Sequence, residues 1–225
     1  MNNLIIYNST ELQNLLHKQL ETTAGGKVIL VYGSKQIFQF SLLLASHILL
    51  QGGRIAVVDG GCRFDLHIIS RFARQKHISP EILLNRIFIS RGFTPYQMEA
   101  VINERLVSFL KKIKSNTAMI FGLLDTFYDE QVRFKEAYNM LKRIIFNLQK
   151  MKNQNFSLLV AVEHFNVLPK ERNRFLEMLK QTADEVYKLT DENESVSIIV
   201  EKNTKTIRSN NYGKNTTYIY RNNRQ

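Results

Sequence analysis

The sequence predicts an α/β fold: a mostly parallel sheet with helices on both faces and an antiparallel hairpin extension at its C-terminal end. Three observations lead there. Short apolar runs at 28–32, 54–58, 86–90, 117–124 and 156–162 lack polar alternation, which is how strands buried on both faces read. Segments of helical length separate them, at 36–50, 65–77, 95–114, 130–151 and 170–182, and strand–helix–strand repetition calls for right-handed crossovers that cover both faces. Beyond residue 184 the runs become short and β-prone, with polar turns between them.

Taken in order, Lys27-Val28-Ile29-Leu30-Val31-Tyr32-Gly33 reads as a buried strand ending in glycine, and Phe40–Leu50 as the apolar helix after it. Arg54–Val58 is the next strand and closes on Asp59, followed by an aromatic-led helix start at Arg63-Phe64-Asp65. Arg86–Ser90 and Thr117–Leu124 are further strands, and Phe156–Val162 completes the parallel set. Glu185–Leu189, Val196–Val200 and Thr216–Tyr220 are the hairpin strands. No Pro/Gly/Ser-rich linker or internal repeat interrupts the 225 residues, so one domain is expected. It divides into a lead-in (1–26), an α/β core (27–190) and a basic β-hairpin with a tail (191–225).

Composition excludes several classes. The chain is 44% hydrophobic, enough for a sizeable core. Its one cysteine, Cys62, rules out an intrachain disulfide and is expected to be structural. The five histidines show no ligand spacing, so no metal site is expected. No apolar run approaches the ~20 residues that span a bilayer, and the N-terminus lacks a signal pattern. The expectation is a protein without a membrane partner, in the cytoplasm (nucleoid) of a prokaryote or the nucleus of a eukaryote. The net charge of +11 (31 cations less 20 acids) favours polyanions, nucleic acid first. Arg71, Arg74, Lys76, Lys111, Lys112 and Lys114 read as solvated helix ends.

The turn after the first buried strand is the informative place. A phosphate loop, G-x-x-x-x-G-K-S/T, closes backbone N–H groups around phosphates, with a lysine for the terminal phosphates and a hydroxyl for Mg²⁺. Here the stretch is Gly33-Ser34-Lys35-Gln36-Ile37-Phe38-Gln39-Phe40. Phe38 stands at the second glycine, Gln39 at the lysine and Phe40 at the hydroxyl.

Set beside Asp59, Ile78–Thr94 and Phe121-Gly122-Leu123-Leu124-Asp125, this order of pieces resembles the core domain of the RecA/RadA-type strand-exchange recombinases, over roughly residues 8–202. The resemblance is to the archaeal and eukaryotic branch and its paralogs. It implies a RecA-like three-layer fold and a vestigial nucleotide site at Gly33, Ser34, Lys35, Asp59, Asp125 and His164. Asp125 would sit at the Walker B position, as a Mg²⁺ holder or as a carboxylate capping the next turn. His164 would replace a γ-phosphate-sensing glutamine, or be a half-buried histidine satisfied by backbone. The family's water-activating glutamate falls at Gly61, which supplies no base. No catalytic residue is expected, and neither ATP nor Mg²⁺ is expected as a cofactor.

DNA contact is expected from Lys170, Arg172 and Arg174, in what resembles a shortened second DNA loop. Lys202, Lys205, Arg208, Lys214, Arg221 and Arg224 crowd the C-terminal segment with Tyr212, Tyr218 and Tyr220. That is single-strand chemistry, or equally an edge hairpin whose charges prevent edge-to-edge pairing. The resemblance implies a non-catalytic recombinase paralog that assists homologous recombination and DNA repair. Its partners would be single- or double-stranded DNA and a recombinase or another paralog, in a homo- or hetero-oligomer. Two alternatives stay open: an ATP-binding enzyme of the family with a variant loop using Lys35 and Asp125, and a structural subunit that binds protein alone.

Overall fold

Lys27–Gly33, strand β2, is buried at all seven positions, and period-two alternation splits its side chains between two cores. Val28, Leu30 and Tyr32 enter one; Ile29 and Val31 enter the other. In this computed structural model, which describes residues 4–5, 25–165, 167–192, 195–203 and 216–221, nine strands form one sheet. Its members are β1 (Leu4–Ile5), β2, β3 (Ile55–Asp59), β4 (Ile87–Arg91), β5 (Thr117–Phe121), β6 (Ser157–Glu163), β7 (Glu185–Glu192), β8 (Ser195–Asn203) and β9 (Thr216–Arg221). The order is β1-β9-β8-β7-β2-β6-β5-β3-β4. Strands β2 to β7 pair in parallel; β8 and β9 add antiparallel, and β1 lies parallel to β9. The expected α/β class, the mostly parallel sheet and the antiparallel C-terminal strands are what the structure shows. Residues 1–3, 6–24, 166, 193–194, 204–215 and 222–225, and with them most of the expected lead-in and of the basic segment and tail, lie outside the described residues.

One face is covered by α1 (Gln36–Leu50), α2 (Leu66–Gln75) and α3 (Pro80–Leu84). Along α1, Ile37, Phe38, Ser41, Leu44, Ala45 and Ile48 recur at helical spacing and are buried. Its buried Ser41 and Ser46 hydroxyls donate to Ile37 O and Leu42 O, so neither is left unpaired. Asp65 caps α2 by accepting from His67 N at 2.9 Å, and Pro80 opens α3 where a missing N–H costs nothing.

The opposite face carries α4 (Pro95–Ala100), α5 (Leu106–Lys112), α6 (Leu123–Phe127), α7 (Phe134–Asn153) and α8 (Arg174–Thr182). Three expectations are corrected here. The helix expected over 95–114 contains a π turn at Val101–Arg105. The strand expected over 117–124 ends at Phe121, because Gly122 adopts φ 59° and turns the chain into α6. The segment expected as helix from 170 begins as a 3-10 turn, Lys170–Asn173, ahead of α8.

At the start of the parallel strands, Lys27 and Glu185 form a buried pair at 2.7 Å, and Tyr187 Oη donates to the other Glu185 oxygen at 2.7 Å. Adjacent strands β2 and β7 are thus joined by charge at one end and by apolar packing along their length.

Candidate functional site

The carboxyl ends of β2, β3, β5 and β6 meet at the centre of the sheet, where open α/β sheets place their ligands. Gly33 ends β2, with φ 134°; Ser34 N donates to Leu189 O at 3.1 Å, and α1 starts at Gln36. Only Ser34 and Lys35 separate strand from helix, too few to ring a phosphate. Ile37 N bonds back to Ser34 O, so this amide faces the turn's own carbonyl. Phe38 is buried and packs edge-to-face on Phe121, with centroids 5.9 Å apart. Phe40 is buried in the core beneath α1. Lys35 is exposed at the helix N-cap and makes no capping side-chain bond.

Asp59 is buried, and its work is structural. Oδ1 accepts from Arg63 N at 2.8 Å and Oδ2 from Phe64 N at 3.2 Å, so the carboxylate organises the loop leaving β3. Cys62, in that loop, is exposed at φ 52° and is not the packed residue expected. Gly60 and Gly61 lie hard against the turn after β5. A Cβ on Gly60 would stand 2.7 Å from Gly122 O, and one on Gly61 would stand 2.2 Å from Asp125 Oδ2. Any side chain at 61 would have to displace the Asp125 carboxylate and the Arg63 side chain.

Arg63 completes the site. Its Nε donates to Asp125 Oδ2 at 2.8 Å; a terminal nitrogen lies 2.8 Å from the same oxygen and 2.9 Å from Glu163 Oε2. The guanidinium carbon is 5.1 Å from the Phe38 ring centroid, a cation–π contact. One cation thus ties the ends of β3, β5 and β6 on an aromatic floor. Asp125 does not cap its turn; its Oδ2 is taken by Arg63. Asp125 Oδ1 and Ser34 Oγ are buried with no hydrogen-bond partner among the described residues.

These residues do not fit Mg²⁺ and a triphosphate. Arg63 holds the carboxylate oxygen that would face the metal, and the glycine clamp is replaced by a phenyl ring. A groove of about 590 Å³ opens beside the site, between Ser34–Gln39 and Cys62–Ile68.

His164 is separate from this cluster. Its N–H donates to Gly33 O at 2.8 Å, but its ring is exposed and packs edge-on against Tyr32, 5.8 Å between centroids. Tyr32 belongs to the core on the other face from Phe38. Tyr32 Oη donates to Glu201 Oε1 at 2.6 Å, and Lys180 lies 4.3 Å over the ring. Burial first, then the Glu201 carboxylate, push the Tyr32 hydroxyl up to about 12. Partial burial, then Lys188 and Lys180, lower the His164 pKa below 6.5. Protonation is then easier in the unfolded chain, so stability present above pH 6.5 is lost as the pH falls below it. An NMR titration should place the His164 midpoint below 6.5, and Lys188→Ala should raise it; an unmoved midpoint would show that Lys188 does not act on the ring.

The cations expected on DNA divide. Lys170 and Arg174 are exposed. Arg172 is 2% exposed, and its guanidinium donates to Phe127 O and Val132 O. It fastens the turn before α8 to the segment after α6 and is not available to DNA. Lys202 is half-buried and donates to Gln181 O and Ala183 O at the end of α8. Lys205, Arg208, Lys214, Arg224 and the Arg221 side chain lie outside the described residues.

Sequence reading missed Arg63 as a site residue and passed over Glu163. One signal was present: with the loop lysine gone, two strand-end carboxylates needed another cation, and Arg63 follows the vacated glutamate position by two residues. Compared with protein-family models and with curated proteins, the chain matches none. Among the described residues no cluster of metal-ligating side chains occurs, and no helix is long and apolar enough to cross a membrane.

Proposed function

We propose that this chain is a non-catalytic, RecA/RadA-like scaffold that contacts nucleic acid, a recombinase-type partner, or both, and assists recombination and repair without a nucleotide cycle. The ordered resemblance in sequence supports the family. The observation that carries the loss of the cycle is the Asp125–Arg63–Glu163 triad, in which a side chain of the protein supplies the cation that a metal would bring. The charge of +11 supports a polyanionic partner.

The protein-partner arm rests on β4. Among the described residues it pairs only with β3, leaving one edge open, and Ile89 on it is 44% exposed. A groove of about 220 Å³ lined by Phe88, Ile89, Val101, Leu106 and Phe109 runs beside it. An open strand edge next to an apolar groove suits an added β-strand with an anchoring side chain.

The test is binding of a fluorescein-labelled single-stranded oligonucleotide with and without Mg·ATP. The expected result is salt-dependent binding with the same affinity in both. An affinity that changes with Mg·ATP would overturn the reading in favour of a variant ATPase; no salt-dependent binding would leave a subunit that binds protein alone.

A further inference from the structure

Away from the triad, the outer side of α7 combines features that the reading above does not use. Over Phe134–Asn153 the helix carries five cations (Lys135, Lys142, Arg143, Lys150, Lys152) against one acid, Glu136. Among them Phe146 is 73% exposed, the most exposed large apolar side chain among the described residues. A ring held in water costs apolar hydration and is uncommon without a partner surface. It borders a groove of about 370 Å³ shared by Lys142, Arg143, Asn147 and Asn103 of the π turn.

The π turn places Asn103 at this groove, and such turns recur at functional positions. Asn103 Nδ2 faces Glu99 Oε1 at 3.4 Å, which sets the amide's orientation and turns Oδ1 away from the carboxylate. That Oδ1 is buried and has no donor among the described residues. Asn147 Nδ2 donates to Ile102 O at 2.9 Å, which leaves its own oxygen as an acceptor. Arg143 is held flat by a bidentate pair with Glu99. The groove thus offers an exposed aromatic face, the Asn147 amide oxygen as an acceptor, and flanking cations. A phospholipid tail brings no donors, and a duplex hides its base faces. An unpaired nucleotide brings a π-face, base N–H donors and a phosphate.

We propose that the groove between the π turn and α7 binds a single-stranded nucleic acid. Phe146 stacks on a base, the Asn147 side-chain oxygen accepts from a base N–H, and Lys142 and Lys150 meet the backbone. The site rests on the nucleic-acid contact proposed above, and it lies apart from Lys170, Arg174 and the C-terminal segment.

The experiment is fluorescence anisotropy of the full chain with labelled oligo-dT and oligo-rU of about 20 nucleotides, longer than the ~4–16 nucleotides one single-strand site covers. Phe146 and Lys142 are surface residues, so Phe146→Ala, Phe146→Tyr and Lys142→Gln should melt as the parent does. Phe146→Ala should weaken binding at least about fivefold, the loss of one base–aromatic stack, while Phe146→Tyr keeps it. Lys142→Gln should flatten the salt slope by about 0.7. The dT and rU arms show whether DNA or RNA is preferred. Tight binding unchanged by both Phe146→Ala and Lys142→Gln would overturn this site and leave the function standing. No binding in any chain would remove both. Loss of self-association, or of binding to phosphatidylserine vesicles, with oligonucleotide affinity intact would assign the face to protein or membrane instead.

Discussion

Replacing Arg63 with methionine is expected to destabilise the protein by about 2–3 kcal/mol, lowering Tm by about 5–10 °C. The volume is nearly kept, so the effect isolates charge. Without the guanidinium, Asp125 and Glu163 face each other across the ends of β5 and β6 with no cation between them. Removing one partner of a largely buried pair is costly because the other charge stays desolvated. The side chain of Arg63 is 22% exposed, so the lower part of that range applies. The triple variant Arg63→Met, Asp125→Asn, Glu163→Gln should recover part of the loss, since it removes the stranded charges as well. A triple variant no more stable than Arg63→Met would show that the guanidinium acts through packing on Phe38 and not through charge. Thermal or urea denaturation followed by circular dichroism reads both.

Gly33→Ala should be worse still, by more than about 4 kcal/mol, and should cost more than about 10 °C in Tm or prevent folding. Gly33 sits at φ 134°, and a Cβ there would lie 1.9 Å from Leu189 O and 2.8 Å from the carbonyl carbon. Both obstacles are backbone of β7, so nothing can rotate away and the β2–β7 pairing must open. Gly25 is the control: its φ is 148°, yet a Cβ there meets nothing within 4 Å, so Gly25→Ala should cost only the backbone strain of about 1–3 kcal/mol. Equal effects at the two positions would remove the steric argument. The contrast also explains why the turn after β2 needs a glycine. Sheet packing requires it whether or not a phosphate is ever bound.

The central strands were legible because they are buried on both faces: Val28–Tyr32, Ile55–Val58 and Leu158–Val162 are apolar without interruption. The run at 86–90, read the same way, forms β4 at the sheet edge and is half-buried to exposed. The three C-terminal strands were legible from β-prone runs between polar turns. The sequence misled where one residue overrides a run. Gly122 ends β5 three residues before its apolar stretch does, and the π turn interrupts a pattern that reads as continuous helix. At the site, the losses at Phe38, Gln39, Phe40 and Gly61 were visible, because each is the wrong residue at a known spacing. What replaced them was not. Arg63, Asp125 and Glu163 are far apart in the chain and meet only where three parallel strands end together. Arg172 failed in the opposite direction. An arginine between Glu171 and Asn173 reads as solvated, and only the fold reveals two backbone carbonyls converging on it.

The central claim is that Arg63 and Phe38 have taken the place of metal and phosphate. Isothermal titration of Mg·ATP into the full chain tests it most directly. No saturable heat is expected up to about 1 mM ligand, where even a Kd of 1 mM would stabilise the protein by only about 0.4 kcal/mol. Saturable binding abolished by Asp125→Ala would contradict it and return the site to the nucleotide-binding class.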